Sequence, residues 1–245
     1  MPTRLRGALL IALACIALSF APLSAQDATP TASDLVLPPD AVVAGASIGE
    51  WSARQWQWFL SSPQKASPLF DDTGARCWYG QSGPVFFLAG SGTGESYERS
   101  CTIPAGVAVF VPLGGSECST IEPEPYFGRD AAELRACAAV DIDGSDYVDE
   151  VGLTIDGQSV GDLRPYRVSS PPSTFVLPEG NFFDGPAGVV GSFVADGYAA
   201  VLSPLSPGEH EVVFGDSQIS VTYRLSIVEP EIVEPVASPA ASPVA

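Results

Sequence analysis

The tightest constraint on this chain is a set of four cysteines near its middle: Cys77, Cys101, Cys118 and Cys137. A zinc site is built from close pairs such as C-x2-C, and these spacings are far wider. An even count in a chain bound for an oxidising compartment reads instead as two disulfides. Four cysteines allow three connectivities. Sequential pairing, Cys77–Cys101 and Cys118–Cys137, closes the shortest loops and is the expected one.

The compartment is written at the start of the chain. Arg4 and Arg6 form a positive opening, Gly7 to Phe20 is almost wholly apolar, and Ala21-Pro-Leu-Ser-Ala25 ends the run with small residues. Residues 1–25 thus read as a secretory signal peptide cleaved after Ala25. Its apolar run is too short for a membrane span of roughly 20 residues. A fifth cysteine, Cys15, follows Ala12-Leu13-Ala14, a poor lipidation signal that would split the apolar run. No later segment approaches 18 uninterrupted apolar residues, so no span is expected in the mature chain, which is assigned to the extracellular side or the cell-envelope exterior. The chain has 11 basic against 29 acidic residues, a net charge of −18. Such a surface repels nucleic acid and anionic lipid.

Two ends frame one domain. Residues 26–40 carry Thr-Pro and Pro-Pro turns and read as a flexible leader. Residues 229–245 repeat Glu-Pro and Ala-Ser-Pro units, which bury too little apolar surface to offset ordering, and read as a disordered tail. Between them, residues 41–228 form a single β-rich globular domain. Ser47 and Glu50 form an S-x-x-E capping box that starts a helix ending before Ser61-Ser62-Pro63. Ile48, Trp51, Trp58 and Phe59 give it one apolar face. A second helix is expected over about 130–140, with Leu134, Cys137 and Ala138 on one stripe. Short apolar runs at 84–89, 107–111, 174–177, 189–194, 198–202 and 211–214 read as strands. Val151 to Ile155 meets Asp156-Gly157, a hairpin signal. Val221, Tyr223, Leu225 and Ile227 alternate with polar residues, as on a half-buried strand. The expected fold is mostly β: an antiparallel β-sandwich or jelly-roll-like domain with two short helices and two disulfides.

Several segments resemble a family of uncharacterised secreted bacterial proteins with a Trp-rich N-terminal segment. They are Glu50-Trp-Ser-Ala-Arg-Gln-Trp-Gln-Trp58, Gln81 to Gly90, Cys101-Thr-Ile-Pro-Ala-Gly106, Leu134-Arg-Ala-Cys137 and Pro207-Gly-Glu-His210. The resemblance spans roughly residues 45–228. It implies secretion and the domain limits, and it carries no activity.

Candidate chemistry is sparse. Gly45-Ala-Ser47-Ile-Gly49 spells the G-x-S-x-G of a nucleophile elbow, with Asp184 or Asp196 and then His210 in hydrolase order. An elbow follows several strands and an upstream oxyanion segment, for which there is no room here, so Ser47 reads as a helix cap. His210 is the only histidine and the one candidate for His-dependent acid–base work. Gly90-Ser-Gly-Thr-Gly-Glu95 lacks the Gly-Lys-Ser/Thr of a phosphate loop and reads as a turn. Glu95, Glu98, Glu117, Glu122 and Glu124 are candidates for a carboxylate pair, which is defined by separation in space. Trp51, Trp58 and Phe59 are assigned to the core, leaving Trp56, Trp78 and Tyr79 as candidate ligand-stacking aromatics. Asp141, Asp143, Asp146 and Asp149 form an acidic run whose opening D-x-D-G resembles a calcium loop, although Asp146 and Gly152 depart from the EF-hand pattern. The leading expectation is a non-enzymatic module that binds a saccharide or protein partner and needs no cofactor, calcium being the one candidate ion. The alternative is a secreted hydrolase, glycoside hydrolase-like, that uses paired carboxylates.

Overall fold

The computed structural model of the chain describes residues 30–144 and 147–229. The expected signal peptide, the tail beyond residue 229 and Asp146 lie outside the described residues. The chain enters through a single helical turn, α1 (Ala32–Leu35), and a small hairpin of β1 (Val42–Val43) and β2 (Ala46–Ser47). Ala32 and Val36 are buried, and the Leu37 amide donates to the Val201 carbonyl. Residues 32–37, inside the segment read as a leader, are thereby held to the core.

Ser47 then caps α2 (Ile48–Leu60). Its amide donates to Glu50 Oε2 at 2.8 Å and its hydroxyl accepts from the Glu50 amide, the capping box read from the sequence. Strands β3 (Val85–Phe87), β4 (Tyr97–Pro104) and β5 (Ala108–Ser119) follow. Helix α3 (Ala131–Asp143) starts where Asp130 accepts from the amides of Ala132 and Glu133, and it runs past the expected end near residue 140. A one-turn α4 (Tyr147–Glu150) leads into the hairpin of β6 (Gly152–Ile155) and β7 (Gln158–Ser159). Its turn residues Asp156 and Gly157 have φ of 51° and 75°, the left-handed pair that an Asp-Gly hairpin turn requires. Then come β8 (Arg167–Ser169), β9 (Ser173–Val176), β10 (Val190–Leu202), β11 (Gly208–Gly215) and β12 (Ser220–Val228).

These strands make the expected sandwich-like arrangement. The first sheet runs β3-β5-β10-β8, with β9 also on β10; the second runs β4-β12-β11-β6-β7. Both are mixed rather than purely antiparallel, because β3 lies parallel to β5 and β4 parallel to β12. Long connections rather than hairpins join those pairs, which is what parallel pairing demands. Val109, Val111, Ala200 and Leu202 of the first sheet meet Ile103, Leu153, Val212 and Leu225 of the second in the main core. The disulfides are Cys77–Cys101 and Cys118–Cys137, the sequential pairing. The second staples α3 to β5, beside Leu134, Ala138 and Val194.

Strand β10 organises the outer layer. Its even-numbered residues from Tyr198 to Leu202 face the second sheet, while its odd-numbered residues face α2. Ala199 and Val201 pack with Ile48 and Trp51, near the start of the helix. Phe193 and Ala195 pack with Leu60, at its end. Gly197 lies between the two clusters.

Candidate functional site

The middle of α2 is where packing fails. Ile48, Trp51, Ser52, Gln55 and Phe59 recur at the spacing of one helical stripe, and the stripe faces the first sheet. Apolar residues occupy both ends of that stripe, but Ser52 and Gln55 occupy its centre. Opposite them the sheet has glycines: Gly197 pairs with Gly115, and Tyr198 pairs with Gly114 beside a β-bulge. Small or polar residues on the helix thus meet residues without side chains on the sheet. A cavity of about 280 Å3 results. It is walled by Trp56, Phe59 and Phe110 near the helix and reaches Phe214 and Ile219 of the β11–β12 hairpin.

Ser52 and Gln55 are 6% and 7% exposed, and both line this cavity. Neither side chain has a hydrogen-bond partner among the described residues. A hydroxyl and a carboxamide thus stand open on one wall, able to exchange hydrogen bonds with water or with a bound molecule. Of the charged residues that line the cavity, Asp196 accepts from Arg167 Nε at 2.8 Å. Asp216 accepts from the amides of Gln218 and Ile219, both at 2.7 Å.

Behind one wall stands Arg99, 1% exposed and without a carboxylate partner among the described residues. Its guanidinium donates to the carbonyls of Asp71 (2.6 Å), Gly90 (2.9 Å), Leu69 (3.2 Å) and Ala89, and to Tyr223 Oη (3.1 Å). Leu69 and Gly90 line the cavity, so this one side chain holds two loops in place around it.

The residues singled out in the sequence are scattered. Trp56 lines the cavity; Trp78 and Tyr79 do not. Trp78 is 51% exposed, donates from Nε1 to the Thr102 carbonyl and meets Phe86 edge-on. Tyr79 is 40% exposed, and its carbonyl accepts from Trp58 Nε1. Trp51 is buried, as expected of a core residue, while Trp58 and Phe59 are half-buried. Ser47 is occupied by the cap. His210 Nδ1 lies 2.8 Å from Asp156 Oδ2, and Nε2 lies 2.9 Å from the Ser206 carbonyl and 3.3 Å from Ser206 Oγ. Those contacts form a Ser-His-Asp cluster in name, but Nε2 lies nearer the Ser206 carbonyl than Ser206 Oγ, and none of the three residues lines the cavity. Asp184 sits in a left-handed turn (φ 54°), and no triad with Ser47 forms. Around Gly90-Ser-Gly-Thr-Gly-Glu95, the Gly92 amide donates to Leu69 and the Glu95 amide to Ser91 Oγ, as in a turn.

Of the five candidate glutamates, the structure brings Glu117 and Glu122 together. Glu117 is buried, donates to the Glu122 carboxyl and leaves its Oε2 without a partner; Glu122 accepts from Ser119 Oγ at 2.7 Å. Burial, and then the neighbouring Glu122 charge, push Glu117 up to about 9. Carboxyls in hydrogen-bond contact are closer than the roughly 5–10 Å that glycoside hydrolysis uses. Glu98 is bonded to Arg224, while Glu95 and Glu124 are exposed. In the acidic run, Asp143 pairs with Arg167 at 2.6 Å and Asp149 with Arg164 at 3.3 Å. Asp146 and the Asp141 side chain are outside what is described. Among the described residues no group of three or more His, Cys, Asp or Glu is set to hold a metal.

Sequence reasoning missed Ser52 and Gln55. The signal was available: two polar residues at core-facing positions of an otherwise apolar helical stripe. Comparisons of the chain with protein-family models, with curated proteins and with solved structures found no match.

Proposed function

We propose that this chain is a secreted, non-enzymatic module that binds a small ligand in the cavity beneath α2. Ser52 and Gln55 carry the reading, because both side chains line that cavity and make no hydrogen bond to another described residue. A ligand with complementary donors and acceptors would bond them in place of water, each such bond contributing roughly 0.5–1.5 kcal/mol. A lining of aromatic, aliphatic and glycine residues with a few placed polar groups is the composition of small-molecule sites. The signal-peptide pattern and the two disulfides support secretion. A saccharide stacked on Trp78 and Tyr79 has less support, since those side chains lie apart from the open polar groups.

The test is a melting-temperature screen of the purified mature chain against a glycan set and a panel of small heterocycles and aromatics. A ligand selective for the folded state raises the melting temperature. Ser52→Met places a flexible side chain in the cavity and is expected to abolish that rise. A rise that survives Ser52→Met, or no rise with any member of the panel, overturns the reading.

A further inference from the structure

We infer that the ligand of this cavity is a neutral, planar, two-ring heterocycle with a lactam-type edge, a ring N–H beside a ring C=O, held by the Gln55 carboxamide. The inference rests on the binding reading above and specifies its ligand.

Gln55 supplies the first constraint. Its carboxamide carries a donor and an acceptor side by side in one plane, it lines the cavity, and neither atom has a hydrogen-bond partner among the described residues. The group that satisfies both at once presents an acceptor and a donor at the same spacing, and a cis-amide edge does so with two parallel hydrogen bonds. Ser52, one helical turn away at i−3, adds a hydroxyl on the same side.

Charge gives the second constraint. The charged residues of the lining are two carboxylates, Asp196 paired with Arg167 and Asp216 held by two backbone amides, so no open positive charge on the lining awaits an anion. An anionic ligand would be desolvated without a partner, at large cost.

Size and shape give the third. An apolar cavity of about 150 Å3 takes benzene, with six heavy atoms. By that ratio, the 280 Å3 here holds roughly eleven, a fused two-ring system. Trp56, Phe59 and Phe110 offer ring surfaces, and Gly115 and Gly197 let a flat face come close to the backbone. A monosaccharide is of similar size but brings about five hydroxyls, and most would be buried without partners here.

The experiment is titration calorimetry on the mature chain with four probes: hypoxanthine, 1-methylhypoxanthine, indole and glucose. Hypoxanthine is expected to bind. Methylation at N1 removes the donor and should weaken binding about 10- to 100-fold. Gln55→Leu should bring a similar loss for hypoxanthine and erase the difference between the two purines. The methylated probe gives its answer on the unmutated chain, so the test survives a poorly folded variant. If indole binds as tightly as hypoxanthine, if methylation is tolerated, or if glucose alone binds, the lactam assignment falls and the cavity reading stands. If none of the four binds and no member of the wider panel raises the melting temperature, both fall.

Discussion

Gly197 on β10 lies directly opposite Gly115 on β5, and neither position has room for a side chain. A Cβ on Gly115 would stand 2.8 Å from the Asp196 carbonyl oxygen, and one on Gly197 would collide with the backbone of Gly114 and Gly115. The two strands are drawn together at the bulge, and the close approach leaves the hollow that α2 roofs. Gly197→Ala is therefore expected to force the strands apart, destabilising the chain by about 1–3 kcal/mol. Urea unfolding should show a lower midpoint with an unchanged slope, since the compactness of the two end states is not altered. Ligand binding should weaken at the same time, because the substitution alters the cavity floor.

Arg99 should be far less replaceable than its place on a strand suggests. It donates to four backbone carbonyls and to Tyr223 Oη, so Arg99→Met leaves several buried acceptors unpaired. A loss on the order of 3 kcal/mol or more is expected, against roughly 1 kcal/mol for Tyr223→Phe. Amide exchange should rise in the loops around Leu69 and Gly90 before it rises in β10. Equal protection in both places would show that Arg99 does not hold those loops.

Arg99 also explains why the sequence concealed a strand. Tyr97, Arg99, Cys101 and Ile103 all point inward from β4, but an arginine at an inward position interrupts the apolar alternation. The same blindness split β10 in two. Ala195-Asp196-Gly197 reads as a break, yet it is continuous strand, because Arg167 satisfies Asp196 and the close approach of β5 requires Gly197. By contrast, the Ser47 cap, the Asp156-Gly157 turn and the disulfide pairing were legible, since each depends on residues near one another in sequence. The cavity was not legible. It needs the middle of α2 to meet Gly115 and Gly197, and that meeting is a tertiary fact.

The cap gives a clean test of the elbow-like motif. Ser47 is bonded to Glu50 at both ends of the capping box, and the Ser47 amide and hydroxyl hold the Glu50 carboxyl below its usual range. Ser47→Ala is expected to cost about 1 kcal/mol of stability. It should leave untouched any esterase activity found in the preparation. Loss of such an activity in well-folded Ser47→Ala protein would restore the motif as a catalytic element.

The Glu117–Glu122 pair should make stability fall as pH rises. Burial raises Glu117 from its ordinary value of 4.5 to about 9, with the Glu122 charge adding to the effect, and Glu122 is raised as well, chiefly by burial. Below about pH 4.5 the Glu117 carboxyl is protonated in both folded and unfolded chains, and its contribution to stability is fully present. Between about pH 4.5 and about 9 the unfolded chain gives up that proton while the folded chain keeps it. The folded state then binds more protons, and stability declines with a slope of at most about 1.4 kcal/mol per pH unit from this group. Glu117→Gln holds the side chain neutral at every pH. The variant should show a flatter decline from pH 5 to 9 and should be the more stable protein at pH 8, by up to a few kcal/mol. Denaturant midpoints of the two proteins at half-unit pH steps give the comparison. Parallel curves over that range would mean that Glu117 ionises in the folded chain much as it does in water, and that the shared proton does not exist.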